Sequence, residues 1–270
     1  MDLHTHSLAS DGEYRPAEVA SRAAAAGTRV WSLTDHDTVA GQEEGAEAAK
    51  RLGVRFVPGI ELSVYLGARE VHMLGHFVDP AHASMRRFED FLAERRRVRL
   101  GEIVSRLAKL GIAVSEDDIV RWSGGKTIGR PHVARALVEA GAAATVKEAF
   151  DRYLGEGRPA YVPRFRLEAE ESIRFLREAG GVATVAHPGS SGVDRGDLMR
   201  LRQADLSGLE VGHPDHNPSV REKYQRLCQE LDLVPTAGTD YHGALVAPDR
   251  SLGSAVMAAE DLERLEARRP

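Results

Sequence analysis

Short β-branched or apolar runs alternate with alanine-rich segments of helical length, and this rhythm constrains the fold more than any other feature of the sequence. Asp2 to His6 reads as a short strand, Pro16 to Ala26 as a helix with proline in its first turn and Gly27 closing it, and Val30 to Leu33 as a second strand. A helix from about Val39 to Leu52 is stopped by Gly53; Val54 to Val57 and Ile60 to Val64 form a third strand region interrupted by Pro58-Gly59, and Glu70 to Phe77 a fourth. Strands and helices alternating at this length imply parallel pairing and βαβ units. From about Ala81 to Tyr153 the pattern turns helical throughout: Ser84 to Leu110, Ser115 to Trp122, Pro131 to Ala140 and Thr145 to Leu154. The alternation then resumes, with strands at Val182 to Ala186, Gly208 to Val211 and Val234 to Ala237, and a final strand and helix at Ser254 to Met257 and Ala259 to Arg268. The expected organisation is an α/β barrel from residues 1–80 and 155–270, with 81–154 inserted as a helical domain that acts as a substrate lid.

A chain of 270 residues, 42% hydrophobic and 29% charged, is long enough to bury such a core and is ordinary for a globular protein. No apolar run approaches the roughly 18–20 residues that span a bilayer, and Met1-Asp2-Leu3-His4 lacks the basic and apolar regions of a signal peptide. Cys228 is the single cysteine, so neither an intrachain disulfide nor a thiolate metal cluster can form. A cytoplasmic location and no membrane partner are the resulting expectations. A net charge of -5 argues against a surface for long duplex DNA. It leaves room for a small phosphorylated substrate, because bound cations reverse a local field.

The polar residues of these strands form a pattern. His4 and His6 are two apart on the first strand, so both side chains share a face. Asp35 and His36 follow the second strand, Glu61 lies in the third, His72 in the fourth, and His187 follows Val182 to Ala186. Asp240 and His242 follow Val234 to Ala237, again two apart. Parallel barrel strands bring their C-terminal ends to one rim, where active sites form. Imidazole nitrogen with carboxylate oxygen is a ligand set for zinc, manganese and iron. Each residue alone has a plainer account, a capped helix or a surface histidine, but independent strands carrying ligand-type residues at matching ends do not.

The runs Asp2-Leu3-His4-Thr5-His6-Ser7, Ser10-Asp11-Gly12, Thr34-Asp35-His36-Asp37, Gly59-Ile60-Glu61, Ala186-His187-Pro188 and Gly238-Thr239-Asp240-Tyr241-His242, with His72, resemble the polymerase and histidinol phosphatase (PHP) family of metallophosphoesterases. Ile128-Gly129-Arg130-Pro131-His132 and Gly157-Arg158-Pro159-Ala160-Tyr161 resemble the branch with 3′,5′-nucleoside bisphosphate phosphatases and 5′-to-3′ exoribonucleases. The resemblance implies a distorted seven-stranded (β/α) barrel, (β/α)7, with two or three divalent ions (Mn, Zn or Fe). One ion would lie on His4, His6, Glu61 and Asp240; a second on Glu61, His72 and His187; a third on Asp11, His36 and His242. Asp11 stands where some members carry histidine, which makes the third site harder. Asp35 and Asp37 are expected to orient imidazoles from behind. His76, His82 and His216 fall outside the motifs and read as surface or packing histidines.

The implied chemistry is phosphate ester hydrolysis, in which hydroxide between ions roughly 3.5–4 Å apart attacks phosphorus. Glu61 and Asp240 carry the catalytic ions, and His213 is a candidate acid for the leaving group. Arg130 and His132 could grip phosphate, since the guanidinium fork matches its oxygens, with Arg158 and Tyr161 as further contacts. Lys126 follows Gly124-Gly125 but lacks P-loop spacing. The arginines at 95, 96, 97 and 99 spread around a helix among Glu89, Asp90, Glu94 and Glu102 and read as a solvated face. The expected substrate is a 3′,5′-nucleoside bisphosphate, cleaved to 5′-nucleotide and phosphate, or the 5′ end of a short RNA. Histidinol phosphate hydrolysis is the alternative within the class, and a non-catalytic metal-binding or polymerase-accessory module the alternative outside it. An amidohydrolase is disfavoured because no lysine lies at a strand end.

Overall fold

The computed structural model describes residues 1–123, 129–163 and 165–270, so Lys126 and Ile128 lie outside the described residues. Two compact units form, one from Met1–Arg87 with Arg166–Pro270 and the other from Phe88–Phe165.

The first unit is built on a six-stranded sheet in sequential order: β1 (Val30–Leu33), β2 (Arg55–Leu66), β3 (Arg69–His76), β4 (Val182–Val185), β5 (Gly208–Gly212) and β6 (Val234–Ala237). A seven-stranded barrel was expected. Residues 2–6 supply what the seventh strand would, without forming a regular one. Asp2 N–H donates to Val30 O, and Ser32 and Thr34 N–H donate back to Asp2 and Thr5 O. On the other side Leu3 N–H donates to Ala237 O, Asp240 N–H to His4 O, and His6 N–H to Tyr241 O. The segment therefore hydrogen-bonds to β1 and to the end of β6 with the residues that follow it, and so bridges the two edges of the sheet.

The pairing is not all parallel. β1/β2, β4/β5 and β5/β6 are parallel, whereas β3 runs antiparallel to both β2 and β4. β2 and β3 make a hairpin turned at Gly67, whose φ of 63° suits glycine. Reversing β3 decides which histidine reaches the rim: His72, early in the strand, lies on the rim side, while His76 at its end is buried and bonds to Leu3 O at 2.9 Å. Nor does Pro58-Gly59 interrupt the third strand, because a side chain mends the ladder that proline breaks. Gln42 Nε2 donates to Leu33 O and Gly59 O, each at 2.8 Å, and its Oε1 accepts from Gly59 N–H at 3.1 Å. Residues 254–257 form no strand, and the chain ends on a helix at Ala259–Glu266.

Helices at Pro16–Ala25, Gln42–Leu52, Ala169–Glu178, Arg195–Gln203 and Pro218–Glu230 accompany this sheet. Trp31, Leu33, Val19, Ala23 and Ala49 form one buried cluster, and Leu3, Val57, Val182, Val234 and Leu265 another. The Phe88–Phe165 unit has its own core, in which Leu107, Ile119, Leu137 and Leu154 are fully buried. Its helices Glu116–Ser123 and Arg130–Glu139 follow the long helix Ala83–Lys109, and Val146–Ala149 runs into a π-helical turn at Phe150–Leu154. Among the described residues no helix is long and apolar enough to cross a membrane.

Thr5 anchors the closing segment: its Oγ accepts from Trp31 Nε1 at 2.8 Å and donates to Ser32 O at 2.7 Å, all within the buried core. Thr5→Val keeps the volume and strands the indole N–H, so urea unfolding should show a loss of about 1–3 kcal/mol.

Candidate metal centre

Glu61 is buried in the middle of β2, and each of its carboxylate oxygens faces a different set of imidazoles. Oε2 lies 3.3 Å from His4 Nε2, 3.1 Å from His6 Nε2 and 3.2 Å from His36 Nδ1. Oε1 lies 3.0 Å from His72 Nδ1 and 3.3 Å from His187 Nε2. Asp240, just after β6, points Oδ1 at the same first set, 3.3 Å from His4 Nε2 and 3.2 Å from His6 Nε2. His6 Nδ1 looks the other way, toward Asp11 Oδ1 at 3.7 Å, and Asp11 also meets His242 Nε2 at 3.3 Å and His36 Nε2 at 3.9 Å.

Groups able to hold an ion are His4, His6, Glu61 and Asp240; His6, Asp11, His36 and His242; and His36, Glu61 and His72. His6 and His36 each belong to two groups, so the rim is more tightly shared than a division into three separate ligand sets. Every candidate ligand named from the sequence, His187 included, lies in this one cluster.

The residues fit divalent cations. His6 Nδ1, His36 Nδ1 and Glu61 Oε2 are buried without a hydrogen-bond partner, a costly state unless something positive satisfies them. Imidazole nitrogens also face each other, His4 Nε2 and His6 Nε2 at 3.1 Å and His72 Nδ1 and His187 Nε2 at 3.3 Å. Hydrogen bonds behind the rings set the tautomers. His242 Nδ1 meets the Asp240 carbonyl, which can only accept, at 2.9 Å. His187 Nδ1 meets Ser190 Oγ at 3.0 Å, and that hydroxyl donates to His187 O. Both rings therefore carry the proton on Nδ1 and turn the Nε2 lone pair inward.

The electrostatics follow. Burial disfavours a charged His6, but the Asp240 and Glu61 carboxylates beside its Nε2 outweigh it and hold the ring up to about 10. Burial acts the same way on His4, and Asp240, Glu210 and Glu61 hold it well above the ordinary histidine value. Glu61 and Asp240 are buried as well, yet the neighbouring imidazoles keep both far below the usual carboxylate range. His36, dehydrated and beside His6 and His72, is pushed down to about 3 and stays neutral.

Asp35 departs from its expected task. Asp35 touches no imidazole; it accepts from Ser7 N–H, Ser7 Oγ and Ser10 Oγ, each at 2.7 Å, and so shapes the turn that carries Asp11. Asp37 Oδ1 accepts from Ser63 N–H at 3.2 Å. His213 accepts from Asp215 N–H on Nδ1, so its proton sits on Nε2, 3.6 Å from Asp240 Oδ2. Its side chain is fully buried and faces this carboxylate. His216 is a packing residue, bonded to Val211 O and Gly189 N–H, and His82 pairs with Ser84.

In the Phe88–Phe165 unit, Arg130 donates to Leu154 O and lies 5.5 Å from the centre of the Tyr161 ring. His132 closes the start of its helix by accepting from Gly129 N–H at 3.0 Å, and Arg158 is exposed. Arg95 stacks on Phe91 and Phe165, and Arg97 pairs with Glu94.

Sequence reading missed Glu210 and Arg250. Glu210 stands in an otherwise apolar strand, a signal that could have been used, and accepts from His4 Nδ1 at 3.0 Å. Arg250 bonds to Asp240 Oδ2 and Asp240 O and reaches Asp215 at 3.1 Å. Nothing about its position in a loop announced this.

A closed ring of strands that gathers imidazoles and carboxylates around one shared glutamate defines a metal-dependent hydrolase. Residues 2–157 match the PHP domain family, and the chain belongs to it. It is 35% identical over 247 residues to a 3′,5′-nucleoside bisphosphate phosphatase of Chromobacterium violaceum, covering 90% of this chain and 87% of that one. It is equally 35% identical over 247 residues to the 5′-3′ exoribonuclease Rnm of Salmonella typhimurium, covering 89% and 84%. A solved structure from Bifidobacterium adolescentis, described provisionally as a metal-dependent phosphoesterase, superposes with a TM-score of 0.80 at 29% identity, over 100% of this chain and 96% of the other. The chain is a metal-dependent phosphoric ester hydrolase.

Cation uptake must displace the protons that the neighbouring carboxylates hold on His4 and His6, since ligation needs free lone pairs. Titrating the metal-free protein with Zn²⁺ at pH 8, in buffers of different ionisation heat, should show release of at least about one proton per centre. Apparent affinity should rise as pH climbs toward about 10, the value that His6 reaches. In the metal-free protein this raised pair contributes stability that is full below the ordinary histidine value of 6.5 and lost as pH rises through about 10.

Proposed function

We propose that this chain removes the 3′-phosphate from nucleoside 3′,5′-bisphosphates, leaving the 5′-nucleotide, and that the same centre trims short RNAs from their 5′ ends. The observation that carries the reading is Glu61, whose two oxygens face separate imidazole sets as a carboxylate shared between two cations would. His4, His6 and Asp240 would complete one position and His72 and His187 a second. Asp11, His36 and His242, with His6 Nδ1, would form a third. Imidazole with carboxylate suits manganese, zinc or iron. Such cations supply the Lewis acidity that phosphate ester hydrolysis needs at neutral pH.

The chain's own residues orient this centre. Arg250 and His213 occupy the Asp240 Oδ2 side, leaving Oδ1 directed at His4 and His6. We assign His213 to that orienting contact, its Nε2 lying 3.6 Å from Asp240 Oδ2, with protonation of the leaving group as its alternative task. Arg130, with Arg158 and Tyr161, is the proposed phosphate grip, and the Phe88–Phe165 unit the proposed substrate lid; His132 supports Arg130 by capping its helix. The closest alternative substrate is histidinol phosphate.

Phosphate release measured side by side on adenosine 3′,5′-bisphosphate, histidinol phosphate and a 5′-phosphorylated trinucleotide tests the reading. The bisphosphate should give the highest kcat/KM; preference for histidinol phosphate would overturn it. Asp240→Asn should cost more than the roughly 10- to 100-fold typical of residues behind the ligands, with an unchanged circular dichroism spectrum. Arg130→Ala should raise KM about 10- to 100-fold, the loss of a charge-assisted contact of about 1.5–3 kcal/mol, with little change in kcat for the bisphosphate.

A further inference from the structure

Glu210 interrupts an apolar strand, Gly208-Leu209-Glu210-Val211-Gly212, and its residue is only 1% exposed. A carboxylate survives there only with its oxygens paired. Both are committed. Oε1 accepts from His4 Nδ1 at 3.0 Å, and Oε2 accepts from the His187 backbone N–H at 2.7 Å. These two histidines lie 183 positions apart in the chain and face opposite oxygens of Glu61: His4 Nε2 is 3.3 Å from Oε2, and His187 Nε2 is 3.3 Å from Oε1. Glu210 thus closes a circuit behind the rim, from His4 through Glu61 to His187 and back. His187 holds a left-handed φ of 24°, a conformation rare for any residue but glycine, and its amide is the group that Glu210 captures. The chain also leaves space for this pair. A Cβ at Gly238 would fall 2.2 Å from His4 Cβ and 2.8 Å from Glu210 Oε1.

We propose that Glu210 is a positioning residue that couples two ion positions. It holds His4 as the Nδ1–H tautomer and His187 in its strained turn, so that both Nε2 lone pairs converge on Glu61. The inference rests on the reading of this rim as a divalent-cation centre. Its physical core is that both oxygens must accept. A glutamine has one acceptor. Its amide group would either oppose the His187 N–H, donor against donor, or face His4 Nδ1 and force the proton onto Nε2, which removes the lone pair from the rim. Either outcome damages one ligand directly and the other through Glu61. A purely structural buried acid would alter unfolding and leave ion affinity alone.

Zn²⁺ titration by calorimetry, with metal analysis, on wild type and Glu210→Gln tests this. The variant should keep its circular dichroism spectrum and lose affinity about 10- to 100-fold at two positions together, not at one. Wild-type affinity at both positions in a folded variant overturns the assignment. Should the variant not fold, the wild type decides: in ¹⁵N-histidine spectra of the zinc-loaded protein, His4 should carry its proton on Nδ1, and a proton on Nε2 sinks the proposal. Wild type that takes up no Zn²⁺ would remove the cation-centre reading itself, a separate result from a Glu210→Gln variant that binds normally.

Discussion

A carboxylate at the centre of a protein must be compensated, and Glu61 is compensated by five imidazoles from four different segments of the chain. Its side chain is 1% exposed, and its charge persists because His4, His6 and His36 approach one oxygen and His72 and His187 the other. The surrounding structure serves this convergence. Residues 2–6 hydrogen-bond to both β1 and β6 and carry two of the rings, so closing the sheet and assembling the site are one event. The same burial that makes a lone charge expensive makes the cluster a strong cation ligand set.

The ring tautomers show how far the support extends. His4, His187 and His242 use Nδ1 to reach Glu210, Ser190 and the Asp240 carbonyl, which frees Nε2 for the rim. His36 and His72 instead present Nδ1 to Glu61. His213, with an amide on Nδ1, must carry its proton on Nε2 and turns it toward Asp240 Oδ2, 3.6 Å away. Backbone strain gathers at the same place: Asp37, His187 and Asp240 have φ of 55°, 24° and 50°. Such conformations persist where surrounding bonds over-determine them. Arg250 on Asp240 O and Glu210 on the His187 amide are two of those bonds.

Much of this centre was legible because metal ligation draws on few residue types, and strand periodicity puts positions 4 and 6, or 240 and 242, on one face. What remained hidden depended on strand direction and on groups with no characteristic spacing. Family resemblance, not strand period, told His72 from His76; the physical reason is that β3 runs antiparallel, which sends one to the rim and the other against Leu3 O. Pro58-Gly59 reads as a break in any local account, and only the Gln42 side chain from a neighbouring helix makes it continuous strand. Asp35 belonged to the right motif but to a different task, because its partners, Ser7 and Ser10, share the turn it braces.

By itself the sequence determined the chemistry on offer: the strand–helix alternation, the helical stretch between, and histidines and acids at recurrent strand ends, all consequences of side-chain type and local period. Tertiary structure decided the rest. It closed the ring with an irregular segment, turned β3 around, placed Arg250 on Asp240, and put Glu210 behind both His4 and His187. Those contacts link residues far apart in the chain, and no local period encodes a distance that exists only after the sheet has closed.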